Sequence, residues 1–187
     1  MNFLDKRLLL LSAGILIGVA VAEVFYIVYS PLVLPDGAIE IATDREYFDR
    51  AYQVLSNSQE SIHIVMFSAN YQTDPKYRDG HVNKLVNLLI SAGNRGIDVK
   101  IIMDDFPEGN EKTVAYLRKN NIDARIIRFV GSTHDKLILV DGRIVIVGST
   151  NWSYYSIDEN HEANVIINDE SVAAGFEGYF NLLWGKT

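Results

Sequence analysis

Between His134 and Asn151 the chain reads HDKLILVDGRIVIVGSTN, which places an imidazole, an ammonium, a hydroxyl and a carboxamide in the pattern H-x-K-x4-D-x6-G-S-x-N. The apolar runs LILV and IVIV flank Asp141-Gly142, a dipeptide suited to the type I′ turn of a β-hairpin. Side chains two apart on a strand point to the same side, so His134 and Lys136 aim into one cleft while Leu137 and Leu139 face other surroundings. Ser149 and Asn151 repeat this step on the returning strand. A hairpin brings its open ends together, and the four polar groups then converge on a volume that suits a phosphate. Asp141, at the turn, and Gly148 read as structural positions of the motif.

The string resembles the signature of the phospholipase D superfamily, with no departure at any motif position. The resemblance implies that His134 attacks the phosphorus of a phosphodiester and becomes a phosphohistidine, that Lys136 and Asn151 hold the non-bridging oxygens, and that Ser149 assists. Glu162, in HEANVII eleven residues after Asn151, matches the family's acid that hydrogen-bonds the nucleophilic imidazole and fixes its tautomer. Phosphoryl transfer also needs an acid on the leaving oxygen, opposite the nucleophile. None of His63, His81 and His161 opens a second H-x-K. The economical solution is a two-fold homodimer with the active site at its interface, one His134 attacking and the other protonating, as in single-motif members of the superfamily. Lys136 and Asn151 of both copies supply the charge and donors in this scheme, so no metal is required.

The elements that must position these groups follow from periodicity. Thr43 to Ser56 reads as a helix capped by Thr43, and Ser61 to Phe67 as a strand in which His63 is a structural residue. The polar segment SANYQTDPKYRDG after that strand sits where α/β folds place binding loops, with Tyr71 and Tyr77 as candidates for substrate contact. An amphipathic helix over His81 to Asn94 ends at Gly96, and the strand DVKIIMDD follows. A helix over Asn110 to Lys119, a strand through Ile122 to Ile127, the motif hairpin, a strand over Ala163 to Ile167 and a helix through Val172 to Trp184 complete the order. This alternation predicts an α/β fold, a mixed β-sheet with helices on both faces. It agrees with the α/β/α sandwich that the resemblance implies for residues 40 to 185.

The 187 residues, 48% hydrophobic and 22% charged, allow one domain of ordinary size and a short extra segment. With no cysteine in the chain, disulfides, zinc fingers and thiol catalysis are excluded. Residues 8 to 34 follow Lys6 and Arg7, carry one charge, Glu23, and have the length of a membrane-spanning helix. The basic pair and the lack of Lys or Arg beyond the run before Arg45 predict a single-pass anchor with the catalytic domain extracytoplasmic. The alternative is a signal peptide cleaved at Ala20-Val21-Ala22, which makes the domain secreted or periplasmic. Residues 1–35 are accordingly read as anchor or signal segment with linker, and 36–187 as the catalytic domain.

Setting aside Asp5, Lys6, Arg7 and Glu23 leaves 15 basic and 22 acidic residues, a poor balance for bulk polyanion binding. Yet Lys112 to Arg143 holds seven basic residues against three acidic ones, either a solvated helix face or a phosphate-steering stretch, with Arg128 a further candidate for substrate contact. Asp104 and Asp105 raise a rival scheme, a metal-assisted phosphoesterase, but no neighbouring acid or histidine spacing supplies a second ligand set. The function expected is a metal-independent phosphodiesterase resembling small bacterial endonucleases, hence a nuclease. The alternative is a phospholipase D acting on membrane lipids such as cardiolipin, like the membrane-anchored mitochondrial relatives. A non-catalytic nucleic-acid or lipid-binding module is the third class.

Overall fold

The structure, a computed structural model, describes residues 12–24 and 34–187. The chain divides into two compact units, Met1–Pro35 and Asp36–Thr187. In the first, residues 12–24 are helical (α1). The apolar segment expected over residues 8 to 34 lies partly outside the described residues. Among those described, no helix is long and apolar enough to cross a membrane.

In the second unit, β-branched runs form seven strands: β1 (Ile39–Thr43), β2 (Ser61–Met66), β3 (Asp98–Asp104), β4 (Asp123–Ile127), β5 (Lys136–Val140), β6 (Ile144–Gly148) and β7 (Ala163–Asn168). They make one mixed sheet in the order β1-β7-β6-β5-β2-β3-β4. β2, β3 and β4 run parallel, and every other neighbouring pair is antiparallel. These directions put the C-terminal ends of β1, β2, β3, β4 and β6 and the N-terminal ends of β5 and β7 on a single edge of the sheet. Both ends of the motif hairpin open onto that edge.

The helices are α2 (Glu46–Ser56), α3 (His81–Asn94), α4 (Glu108–Lys119) and α5 (Glu170–Trp184). Period-two alternation in the strands divides the core between the two faces. Ile138 and Val140 pack with Leu55 of α2, Leu85 and Leu89 of α3 and Leu117 of α4. Leu137 and Leu139 face Ala173, Phe180 and Leu183 of α5. Three helix starts differ from the sequence reading, α4 beginning at Glu108 and not at Asn110. Thr43 ends β1 instead of capping α2, although its amide and hydroxyl both donate to Glu46 Oε2 at 3.1 Å. α5 begins earlier, at Glu170, because Asp169 accepts from the Val172 amide at 2.9 Å. His63 bridges Glu177 of α5 (2.9 Å) and Asp98 of β3 (3.3 Å) and stacks on Phe180 at 4.7 Å, the structural part expected of it.

Candidate active site

The turn of the motif hairpin sets its register. Asp141 and Gly142 both have positive φ, 54° and 59°, as a type I′ turn requires. The Asp141 carboxylate does a second job at that end of the sheet. Its Oδ1 accepts from the amides of Gln59 (3.1 Å), Glu60 (2.8 Å) and Ser61 (3.0 Å), and so caps the entry to β2. Asp141 thus lies one strand length away from the polar groups at the open end of the hairpin. Gly148 is required by close approach: a Cβ there would stand 2.3 Å from Asn164 Oδ1 and 2.4 Å from the Ala163 carbonyl oxygen.

At the open end, His134 is exposed while Lys136, the first residue of β5, is only 7% exposed. Lys136 Nζ donates to the His134 carbonyl oxygen at 2.9 Å. It also lies 3.2 Å from Nδ1 and 3.3 Å from Nε2 of the His134 ring. Phe67, which extends β2, supports both: its ring is 4.4 Å from the imidazole and 4.9 Å from the ammonium. Burial pushes the Lys136 pKa below the ordinary lysine value, and the charges of Asp135 and Glu162 oppose that shift.

Across the hairpin, the exposed Ser149 donates its hydroxyl to Glu162 and accepts from the Ala163 amide at 3.1 Å. Asn151 makes no side-chain hydrogen bond within the described residues, and its Oδ1 is buried without a partner. Such an orphaned carboxamide costs free energy unless something outside the chain satisfies it. The segment carrying it is rigid nonetheless. Trp152 is fully buried, its indole N–H donates to the Tyr47 hydroxyl at 3.0 Å, its amide to the Ser68 carbonyl at 2.9 Å, and its carbonyl accepts from the Asn70 amide at 2.9 Å. Nothing local in the sequence marks Trp152 or Phe67 as supports of the site. Their part depends on strand neighbours far apart in the chain.

Within one chain Glu162 has partners other than His134. Its carboxylate takes hydrogens from Ser149 and from Asn160 Nδ2 (3.2 Å), and no hydrogen bond joins it to His134 within the chain. The register explains this: Gly148 pairs with Asn164, so the start of β7 falls beside Ser149, the residue after β6, and β6 stands between it and β5. Asp44 fixes it there by accepting from the Glu162 amide at 2.9 Å.

Other candidates lie apart from this cluster. Tyr71 stacks on Tyr116 at 3.9 Å, and burial pushes its phenol up to about 12. Tyr77 lines a cleft of about 560 Å³ with His81, Tyr154 and Tyr155. Arg128 pairs with Asp105 at 3.6 Å and Glu111 at 3.4 Å. The basic stretch does not form one patch: Arg118 donates to the Ala124 carbonyl, Arg125 pairs with Asp123, and Arg143 sits at the turn, at the opposite end of the sheet from His134. Asp104 and Asp105 are likewise used within the fold. Asp104 accepts from the amides of Phe106 (2.9 Å) and Thr133 (2.5 Å), which tethers the segment leading into His134. Among the described residues no group of three or more His, Cys, Asp or Glu side chains is arranged to hold a metal.

Comparisons agree with this geometry. The family profile described as "Cardiolipin synthase, PLD-like domain" matches residues 52–184. The mitochondrial cardiolipin hydrolase of Canis lupus familiaris is 34% identical over 136 residues, covering 72% of this chain and 49% of the relative. That of Xenopus tropicalis is 25% identical over 138 residues, 73% and 60% of the two chains. The chain therefore spans about half the length of the curated relatives it matches. In fold it is similar to Nuc of Salmonella typhimurium, a phospholipase D family member (TM-score 0.68, 23% identity, 79% of this chain and 94% of that one). It is also similar to NucT from Helicobacter pylori (TM-score 0.66, 21% identity, 79% and 97%). With the profile matched over most of the 187 residues and a fold shared with such proteins, the chain belongs to the phospholipase D-like family.

Proposed function

We propose that the chain is a metal-independent phosphodiesterase that cleaves nucleic acid through a phosphohistidine on His134. The observation that carries this reading is the gathering at one sheet edge of an exposed imidazole, a buried ammonium against it, and a carboxamide with no partner among the described residues. A ring nitrogen of His134 attacks phosphorus, the P–O bond to the leaving group breaks, and the non-bridging oxygens are held by Lys136 and the side-chain N–H of Asn151. Ser149, its hydroxyl held by Glu162, stands beside them. The leaving oxygen takes its proton from His134 of a second copy, which then serves as base for the water that breaks the phosphohistidine. The site is thus shared by two protomers related by a two-fold axis. Residues 1–35 act as an anchor or signal segment ahead of this domain, and in either case the domain is exported.

A second reading, hydrolysis of phospholipids, is favoured by the relatives named cardiolipin hydrolases. One assay separates them: the full chain with excess chelator, given single-stranded DNA and anionic phospholipid vesicles in separate reactions. DNA cleavage that persists in chelator is the expected result. Headgroup release in its place moves the assignment to a lipase. Cleavage that requires an added divalent metal contradicts the proposal.

Lys136 must be charged to hold phosphate, and its lowered pKa fixes a sign. Substrate affinity is expected to fall as pH rises through the Lys136 pKa, starting below the ordinary lysine value of about 10.4. Because the Glu162 carboxylate raises that pKa, Glu162→Gln is expected to move the alkaline limb of kcat/KM to lower pH. A base whose folded pKa lies below its unfolded value costs stability while it is charged. The Lys136 contribution to stability is therefore expected to improve as pH rises from the folded to the unfolded pKa, while binding worsens. A pH profile of kcat/KM for both proteins checks this; coincident alkaline limbs would remove Glu162 from the neighbourhood that sets the charge of Lys136.

A further inference from the structure

Beside the motif lies a cleft that the catalytic scheme does not use. Its volume is about 560 Å³, within the range of small-ligand sites. It shares the edge with His134: Asn70, in its wall, donates its amide to the Trp152 carbonyl next to Asn151, and Tyr154 lies three residues beyond Asn151. The rim carries the rings of Tyr77, Tyr154 and Tyr155, which are 44%, 57% and 69% exposed. The wall is built firmly. His81 Nδ1 is held by Asp158 at 2.6 Å and its ring stacks on Phe48 at 3.9 Å, leaving Nε2 without a partner among the described residues. Asn83, 3% exposed, is locked to the backbone of Gln72 in both directions, at 2.9 Å and 2.8 Å.

Chemistry selects the ligand. An acyl chain needs a long aliphatic trough, whereas this cleft offers phenols, amides and an imidazole, with Val82 its one aliphatic lining residue. A phosphate inside it would meet the Asp158 carboxylate. A neutral, flat heterocycle with hydrogen-bonding edges suits both the aromatic rim and the polar wall. We infer that this cleft is a base-binding subsite: it takes the nucleobase next to the scissile phosphodiester of a single strand while the phosphate sits at His134 and Lys136. The inference rests on the nuclease reading and names the form of its substrate. An unpaired base is the form that fits, because a base inside a duplex has no free face to stack.

The test compares kcat/KM for a single-stranded deoxyoligonucleotide with that for a strand of the same length and charge built from abasic residues. The full chain is expected to prefer the base-bearing strand by about tenfold or more, the weight of one base on one aromatic ring. Tyr155→Ala and Tyr154→Ala are each expected to lower that preference several-fold, and Tyr155→Phe, which keeps the ring, to retain it. Equal cleavage of the two strands by the unaltered chain, or an undiminished preference in both alanine variants, overturns the subsite while leaving the nuclease reading intact. Cleavage of neither strand, with phospholipid hydrolysed, overturns both.

Discussion

His134→Ala is expected to lower kcat by about 10⁴- to 10⁶-fold, the scale on which removing a covalent nucleophile acts when the groups around it work as a unit. Folding should barely notice. The ring is exposed and lies against Phe67 and Lys136, so a stability change within about 0.5 kcal/mol is expected, as for other surface substitutions. Lys136 and the unpartnered Asn151 remain in place, and the variant should still bind a phosphodiester. A thermal melt matching the unaltered chain, together with lost turnover, would separate chemistry from folding. Residual activity within tenfold of the original would end the nucleophile assignment.

Asp141→Ala is expected to have the largest effect on stability and little on chemistry. Three backbone amides at the start of β2 lose their acceptor, and alanine must take a φ of 54° that aspartate tolerates better. Those amides are mostly exposed, so water recovers part of the loss. A destabilisation of about 2–4 kcal/mol follows from charged hydrogen bonds of about 1.5–3 kcal/mol each, discounted for solvent, plus the backbone strain. Asp141→Asn is the informative control. Asparagine keeps the Oδ1 that all three amides use and accepts the left-handed backbone, so it should retain most of the stability. The fraction of Asp141→Ala that stays folded at low temperature should keep its kcat. A folded Asp141→Ala protein with no activity would place Asp141 in the chemistry and contradict its role at the turn.

Much of this was legible in the sequence because it is local. The hairpin turn, the shared face of His134 and Lys136, and helix α3 each follow from neighbouring residues and a period of two or 3.6. β1 escaped notice because it is a short edge strand in which Ile39 and Ile41 are exposed, so no buried run advertises it. Sequence spacing does not tell which strand stands beside Glu162 within one chain. The pairing of β7 with β6 decides that, and Ser149 receives the carboxylate. The basic stretch shows the converse: residues close in sequence go to opposite ends of the sheet. The cleft of Tyr77, His81, Tyr154 and Tyr155 combines two segments more than seventy residues apart, and no local pattern joins them.

In the proposed scheme two copies of His134 serve one phosphorus. The most direct measurement is to dissociate and reassociate the unaltered chain with an equal amount of His134→Ala and read the activity per total protein. If both imidazoles are needed at one shared site, only pairs of two unaltered chains work, and random pairing of a two-fold dimer leaves about one quarter of the original activity. A chain that works alone would leave about one half, the value expected for independent sites, and that result would contradict the shared site.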